Sequence, residues 1–141
     1  MSADHASTIA SAVDRLNAGD VEGYMSKLYA PHSRFHGYPE AFTPDCDGIA
    51  AFYRALVTAV PDTQIAPQDL LTDGDRVAVR FTFTGTHEGE LLGAPGTGRA
   101  LEVEGITVLR FENGLVVERW NRLDDLALLT QLGALPAVTA V

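Results

Sequence analysis

The chain has 141 residues, 46% of them hydrophobic, which suits one domain with a real core and argues against disorder. Ten basic residues stand against nineteen acidic ones, a net charge of −9. A surface this acidic repels phosphate, which excludes nucleic acid and anionic membrane as natural partners and leaves small neutral ligands open.

The lone cysteine, Cys46, rules out an intrachain disulfide and reads as a small buried or loop residue. No apolar run reaches the ~18 residues of a membrane span, and the N-terminus lacks the basic start and apolar stretch of a signal peptide. The expectation is a cytoplasmic protein, with residues 1–141 forming a single domain.

Ile9, Val13 and Leu16 recur at helical spacing, and Asn17, Gly19 and Asp20 break the pattern. Asp20 is a cap for a second short helix carrying Val21, Tyr24, Met25, Leu28 and Tyr29, which Pro31 ends. "SRFHGYP" is a short extended piece. A third helix starts near Asp47, presents Ile49, Phe52, Tyr53, Leu56, Val57 and Val60, and closes at Pro61. The period then changes to two. A strand, an Asp73-Gly74 turn and a long second strand follow, with Val77, Val79, Phe81 and Phe83 on one face. "GAPGTGR" is a Gly- and Pro-rich loop that reads as a plain turn, since it leads into another strand and has no Lys-Ser/Thr pair. "ALEVEGITVLRFENGLVVERW" is a hairpin around Asn113-Gly114, and "DLALLTQLG" is a terminal helix with Gly133 as its stop. Helices segregated from strands indicate an α+β fold, a curved antiparallel sheet with helices on one face.

Asn113-Gly114 permits two registers. A two-residue turn pairs Glu112 with Leu115 and sets Val108 opposite Arg119. A turn with a glycine bulge pairs Phe111 with Leu115 and makes Arg110 and Glu118 diagonal neighbours of opposite sign. The second is preferred because like charges work against cross-strand pairing. It puts Ile106, Val108, Arg110, Val116, Glu118 and Trp120 on one face, beside an Arg–Glu pair. The pattern leaves open whether that face lines a cavity or a packed core.

Among residues with chemistry, His87 continues the Val/Val/Phe/Phe face, either as a satisfied core or rim residue or as a polar group at a pocket edge. His36 lies beside Phe35; His5 and His32 have no distinguishing context. No His/Cys/Asp/Glu set has metal-ligand spacing, and there is no Gly-x-Ser-x-Gly elbow. Asp124 and Asp125 sit where a helix begins. One Asp suffices as an N-cap, so the other is free for different work.

"GDRVAVRFTFTGTHEGELLGAPGTGR" followed by "VEGITVLRFENGLVVERWNRLDDLALLTQLG" resembles the SnoaL-like polyketide cyclases of the nuclear-transport-factor-2-like superfamily, over nearly the whole chain. The most specific signals are Gly-Thr-His-x-Gly at 85–89 and Glu-x-Trp-x-x-x-Asp running into Gln-Leu-Gly. "FYRALVTAVPDTQI" matches the segment before the sheet, and Gly96 replaces a usual second Pro. The resemblance implies a cone-shaped sheet around an apolar pocket, with N-terminal helices closing the narrow end. It implies aldol-type ring closure of a polyketide-like hydrophobic substrate without cofactor or metal, and a homodimer. By motif, Asp124 is the general acid/base and His87 the neighbouring histidine. The substrate contacts expected with them are Trp120, His36, Phe52, Tyr53, Phe81, Phe83 and Arg110. Steroid-type isomerisation, epoxide opening and simple ligand binding also occur on this fold. An epoxide hydrolase would be expected to show an Asp–Arg–Asp set, and no second pocket Asp is evident beside Arg110.

Overall fold

A computed structural model describes residues 4–134. The element order is α1 (His5–Asn17), α2 (Val21–Leu28), β1 (Tyr29–His36), α3 (Cys46–Ala59), β2 (Gln64–Asp73), β3 (Arg76–Thr86), β4 (Ala100–Glu112), β5 (Leu115–Leu123) and α4 (Asp125–Gln131). The expected breaks have physical causes. Asp20 and Asp45 each accept a hydrogen bond from the backbone N–H three residues on, Gly23 and Gly48, which closes the first turns of α2 and α3. α2 stops at Leu28, before Pro31, and the chain turns directly into β1.

The five strands form one curved sheet in the order β1-β5-β4-β3-β2. Neighbours are antiparallel except β1, which lies parallel to β5. Alternation decides the faces. On β3 Val77, Val79, Phe81 and Phe83 are buried, and on β4 Leu101, Val103, Leu109 and Phe111. Their concave face takes α1, α2 and α3, so Ile9, Leu16, Leu28 and Ile49 complete one core. This is the expected α+β architecture with a curved sheet. Among the described residues no helix is long and apolar enough to cross a membrane.

The β4–β5 hairpin differs from both expected registers. Asn113 and Gly114 both have positive φ (53° and 84°), so the turn has two residues, and Glu112 pairs with Leu115. Phe111 then faces Val116, the register slips by one, and Arg110 faces Glu118 directly. The bulge sits in β5 rather than in the turn. Val116 and Val117 are both buried, which explains the slip: the extra residue lets two adjacent apolar side chains leave water. Val116 therefore does not share a face with Glu118 and Trp120, whereas Ile106, Val108, Arg110, Glu118 and Trp120 do.

Two sequence signals prove to be structural pins. The Asp62 carboxylate accepts from the backbone N–H of Thr86 (2.7 Å) and its hydroxyl (2.8 Å), locking the Pro-Asp segment to Gly-Thr-His. The Gln131 amide donates to the Glu102 carbonyl and accepts from its N–H, both at 2.8 Å. It thus acts as a strand partner at the edge of β4 and fastens α4 there.

Candidate active site

The concave face, α1–α3, the 91–92 turn and α4 enclose a cavity of about 120 Å³. That is roughly ten times the volume needed to hold one water. Most of its wall is apolar: Leu16, Leu28, Phe52, Leu56, Val79, Phe81, Phe83, Leu109 and Leu128 among others. Gly37, Pro67, Leu92 and Asp125 line it and are also exposed, so they mark where it opens. The polar wall residues inside are Tyr24, Tyr53, Thr107, Arg119 and Asn121.

Arg119 and Asn121 reach this wall because they alternate with Glu118, Trp120 and Arg122 on β5. The Arg119 Nη1 donates to the hydroxyls of Tyr24 (2.9 Å) and Tyr29 (2.6 Å), and its Nη2 donates to Asn121 Oδ1 (2.8 Å). The guanidinium also lies 5.7 Å from the Tyr38 ring centre. The hydroxyls of Tyr24 and Tyr29 are 2.8 Å apart, and those of Tyr38 and Tyr53 are 2.7 Å apart. Burial pushes the Tyr24 and Tyr38 hydroxyls well above the ordinary tyrosine range and that of Tyr29 up to about 12. The Thr107 hydroxyl donates to the Trp120 carbonyl.

Of the expected substrate contacts, Phe52, Tyr53, Phe81 and Phe83 stand on the cavity wall. Trp120, His36 and Arg110 do not, and the expectation for these three is corrected. β5 turns Trp120 to the convex face, where it pairs with Val108 on one side and His36 on the other. His36 stacks on it (5.5 Å, 15°), and the Arg76 guanidinium lies 5.2 Å from its ring centre. Glu118 binds His36 Nε2 at 2.7 Å and Arg110 Nη2 at 3.1 Å, and Arg110 also reaches Glu112 at 2.7 Å. The Arg–Glu pair beside Trp120 exists, but on the outside of the sheet.

Asp124 and His87 are not brought together in the cavity either. Asp124 is exposed and N-caps α4, its Oδ1 accepting from Ala127 N–H at 3.1 Å. Its neighbour Asp125 is the carboxylate on the cavity wall. His87 is fully buried and is not on the cavity wall, with Nδ1 at 3.0 Å from Thr97 Oγ1 and Nε2 without a partner among the described residues. Its backbone bonds Thr97, Gly98 and Arg99, so it holds the 88–98 loop. The segment just before GAPGTGR delivers Leu91 and Leu92 to the cavity.

Arg119, Asn121, Tyr24 and the two leucines were missed by sequence reasoning. A usable signal existed for the first two. Leu101, Val103, Leu109 and Phe111 mark the odd-numbered face of β4 as the apolar one. Trp120 belongs with Val108 on the other, so Arg119 and Asn121 point inward.

Comparison with known proteins agrees with this fold. The SnoaL-like polyketide cyclase family model matches residues 7–132. No curated protein matches the chain by sequence. Among solved structures, AclR of Streptomyces galilaeus, a proposed hydroxylase, is 30% identical with a TM-score of 0.84, covering 96% of this chain and 100% of its own. TsrD of Streptomyces laurentii is 30% identical with a TM-score of 0.85, covering 94% and 97%. IdmH of Streptomyces antibioticus, a proposed polyketide cyclase, is 33% identical with a TM-score of 0.76, covering 91% and 97%. The chain belongs to the SnoaL-like polyketide cyclase family.

Proposed function

We propose that the chain binds a small, largely apolar, polyketide-like carbonyl compound in the cavity and closes a ring in it by intramolecular aldol addition. The observation that carries this reading is the cavity itself: an apolar wall with its polar groups gathered around Arg119. Such a wall holds a flexible chain folded, which supplies orientation. The reaction needs a carboxylate that takes a proton from a carbon between two carbonyls and returns one to the new alkoxide, worth about 10²–10⁴-fold in rate. Asp125 is the carboxylate that lines the cavity, and Asp124 caps the helix that presents it.

A second reading keeps Asp124 as the acid/base, and the four-residue spacing from Trp120 favours it. Its carboxylate would then have to leave the cap to meet substrate. An Asp–Arg–Asp epoxide-opening set gains no support, because among the described residues Arg119 has no carboxylate within ion-pair distance. The test is acceleration of ring closure of an aryl poly-β-keto methyl ester over buffer, followed by chromatography. Asp125→Asn is expected to lower the rate at least a hundredfold. No acceleration by the unmodified protein would overturn the cyclase reading.

A further inference from the structure

Arg119 is 7% exposed and lines the cavity, yet it has no acidic partner among the described residues. The chain is not short of acids: nineteen are present, and Arg15, Arg54, Arg80 and Arg110 all pair with one. An arginine keeps its charge at any pH the fold tolerates, and a buried charge without a counter-ion is costly. The groups that do surround it are neutral at neutral pH, since burial raises the Tyr24, Tyr29 and Tyr38 hydroxyls. Its Nε has no hydrogen-bond partner among the described residues.

Tyr29 accepts from Arg119 and does not line the cavity, so among the described residues the acceptor within reach of its hydroxyl proton is Tyr24. Tyr24 then accepts from both Arg119 and Tyr29, and its own proton is left for something in the cavity it lines. Asn121 spends its oxygen on Arg119 Nη2, which leaves its NH₂ on the cavity wall. Arg119, Tyr24 and Asn121 therefore offer a cation, an O–H and an N–H₂ to the cavity. Preorganised donors of this kind suit an oxygen that carries negative charge.

We propose that Arg119, Tyr24 and Asn121 form the seat of an organic oxyanion, so that the substrate presents a carboxylate or an ionised 1,3-dicarbonyl enol to them. This rests on the reading of the cavity as a substrate site. It also gives ring closure a place for the enolate oxygen to gather charge.

The test compares equilibrium binding of 2-naphthoate and its neutral isostere 2-naphthamide by the unmodified protein at neutral pH. At least tenfold tighter binding of naphthoate is expected. Arg119→Met should bring the ratio to within twofold while naphthamide still binds. Asn121→Asp supplies the missing counter-ion without removing the arginine. It should abolish the preference as well, which keeps the test decisive if Arg119→Met does not fold. A parallel titration with 2-acetyl-1,3-cyclohexanedione, an ionised enol, separates the two oxyanion types by which binds more tightly. Equal binding of naphthoate and naphthamide, failure of both to bind, or an undiminished preference in Asn121→Asp would overturn the proposal. Ring closure can still proceed when the preference is absent, and the preference can hold without ring closure, so the two readings fail separately.

Discussion

Replacing Asp124 by Ala separates the two roles that its position allows. The Asp124 carboxylate satisfies the Ala127 N–H, one of four backbone donors that the start of α4 leaves without helical partners. α4 is seven residues long, so it has few internal bonds to fall back on. Losing an N-cap of this type costs about 1 kcal/mol, within a range of roughly 0.5–2. For a domain of this size that lowers Tm by about 3–4 °C. The loss is confined to the cap, because Leu128, Leu132 and the Gln131–Glu102 bonds still hold the helix. Asp124→Asn keeps an oxygen in the same place, and since Asn caps as well as Asp its stability stays within a few tenths of a kcal/mol. Urea unfolding of the two variants, with ring-closure rates measured alongside, reads both effects. If Asp124→Ala is as stable as the unmodified protein, the capping account is wrong. If Asp124→Asn keeps its stability but loses activity a hundredfold, the acid/base is Asp124 and not Asp125.

Three further outcomes follow from the geometry. A Cβ on Gly105 would lie 2.5 Å from Phe81 Cζ, so Gly105→Ala must push that ring toward the cavity; it should destabilise by about 1–2 kcal/mol and weaken ligand binding, as melting and titration would show. In a spectrophotometric alkaline titration, Tyr24, Tyr29 and Tyr38 should ionise later than free tyrosine; because their native pKa values are raised, their contribution to stability is intact below about pH 10 and is lost as pH rises, for Tyr29 through about 12. Glu118 is held below the ordinary carboxylate range by the His36 and then the Arg110 hydrogen bond, so its contribution is present above about pH 4.5 and vanishes as pH falls through its lowered native value; Glu118→Gln should flatten the acid limb of the stability curve and leave ring closure unchanged.

The elements were largely legible in the sequence because their signals are local. Asp20 caps α2, the alternation of Val77 to Phe83 sets the buried face of β3, and Gly133 ends the last turn of α4. The hairpin shows where local reading stops. A two-residue turn and a bulge at Val116–Val117 each shift β5 by one, and together they restore the parity that a bulged turn alone would give. Trp120 thus landed on the right strand face, but that face is the convex one. A one-residue change of register exchanges the two faces, so the decision about Arg119 and Trp120 depended on reading β4 and β5 together. Asp124 and Asp125 differ by one residue on a helix, about 100° of rotation, and capping geometry rather than composition decides which one meets the cavity. Leu91 and Leu92 were out of reach because a loop is placed by tertiary contacts, in this case the His87 backbone bonds.

The central claim is that chemistry takes place in the cavity built around Arg119 and not on the outer face around Trp120. Amide and side-chain chemical-shift mapping during titration with 2-naphthoate tests it most directly. The account predicts shifts concentrated at Tyr53, Phe81, Arg119 and Asn121, with the Trp120 indole unmoved. Shifts centred instead on Trp120, His36 and Arg76 would contradict it.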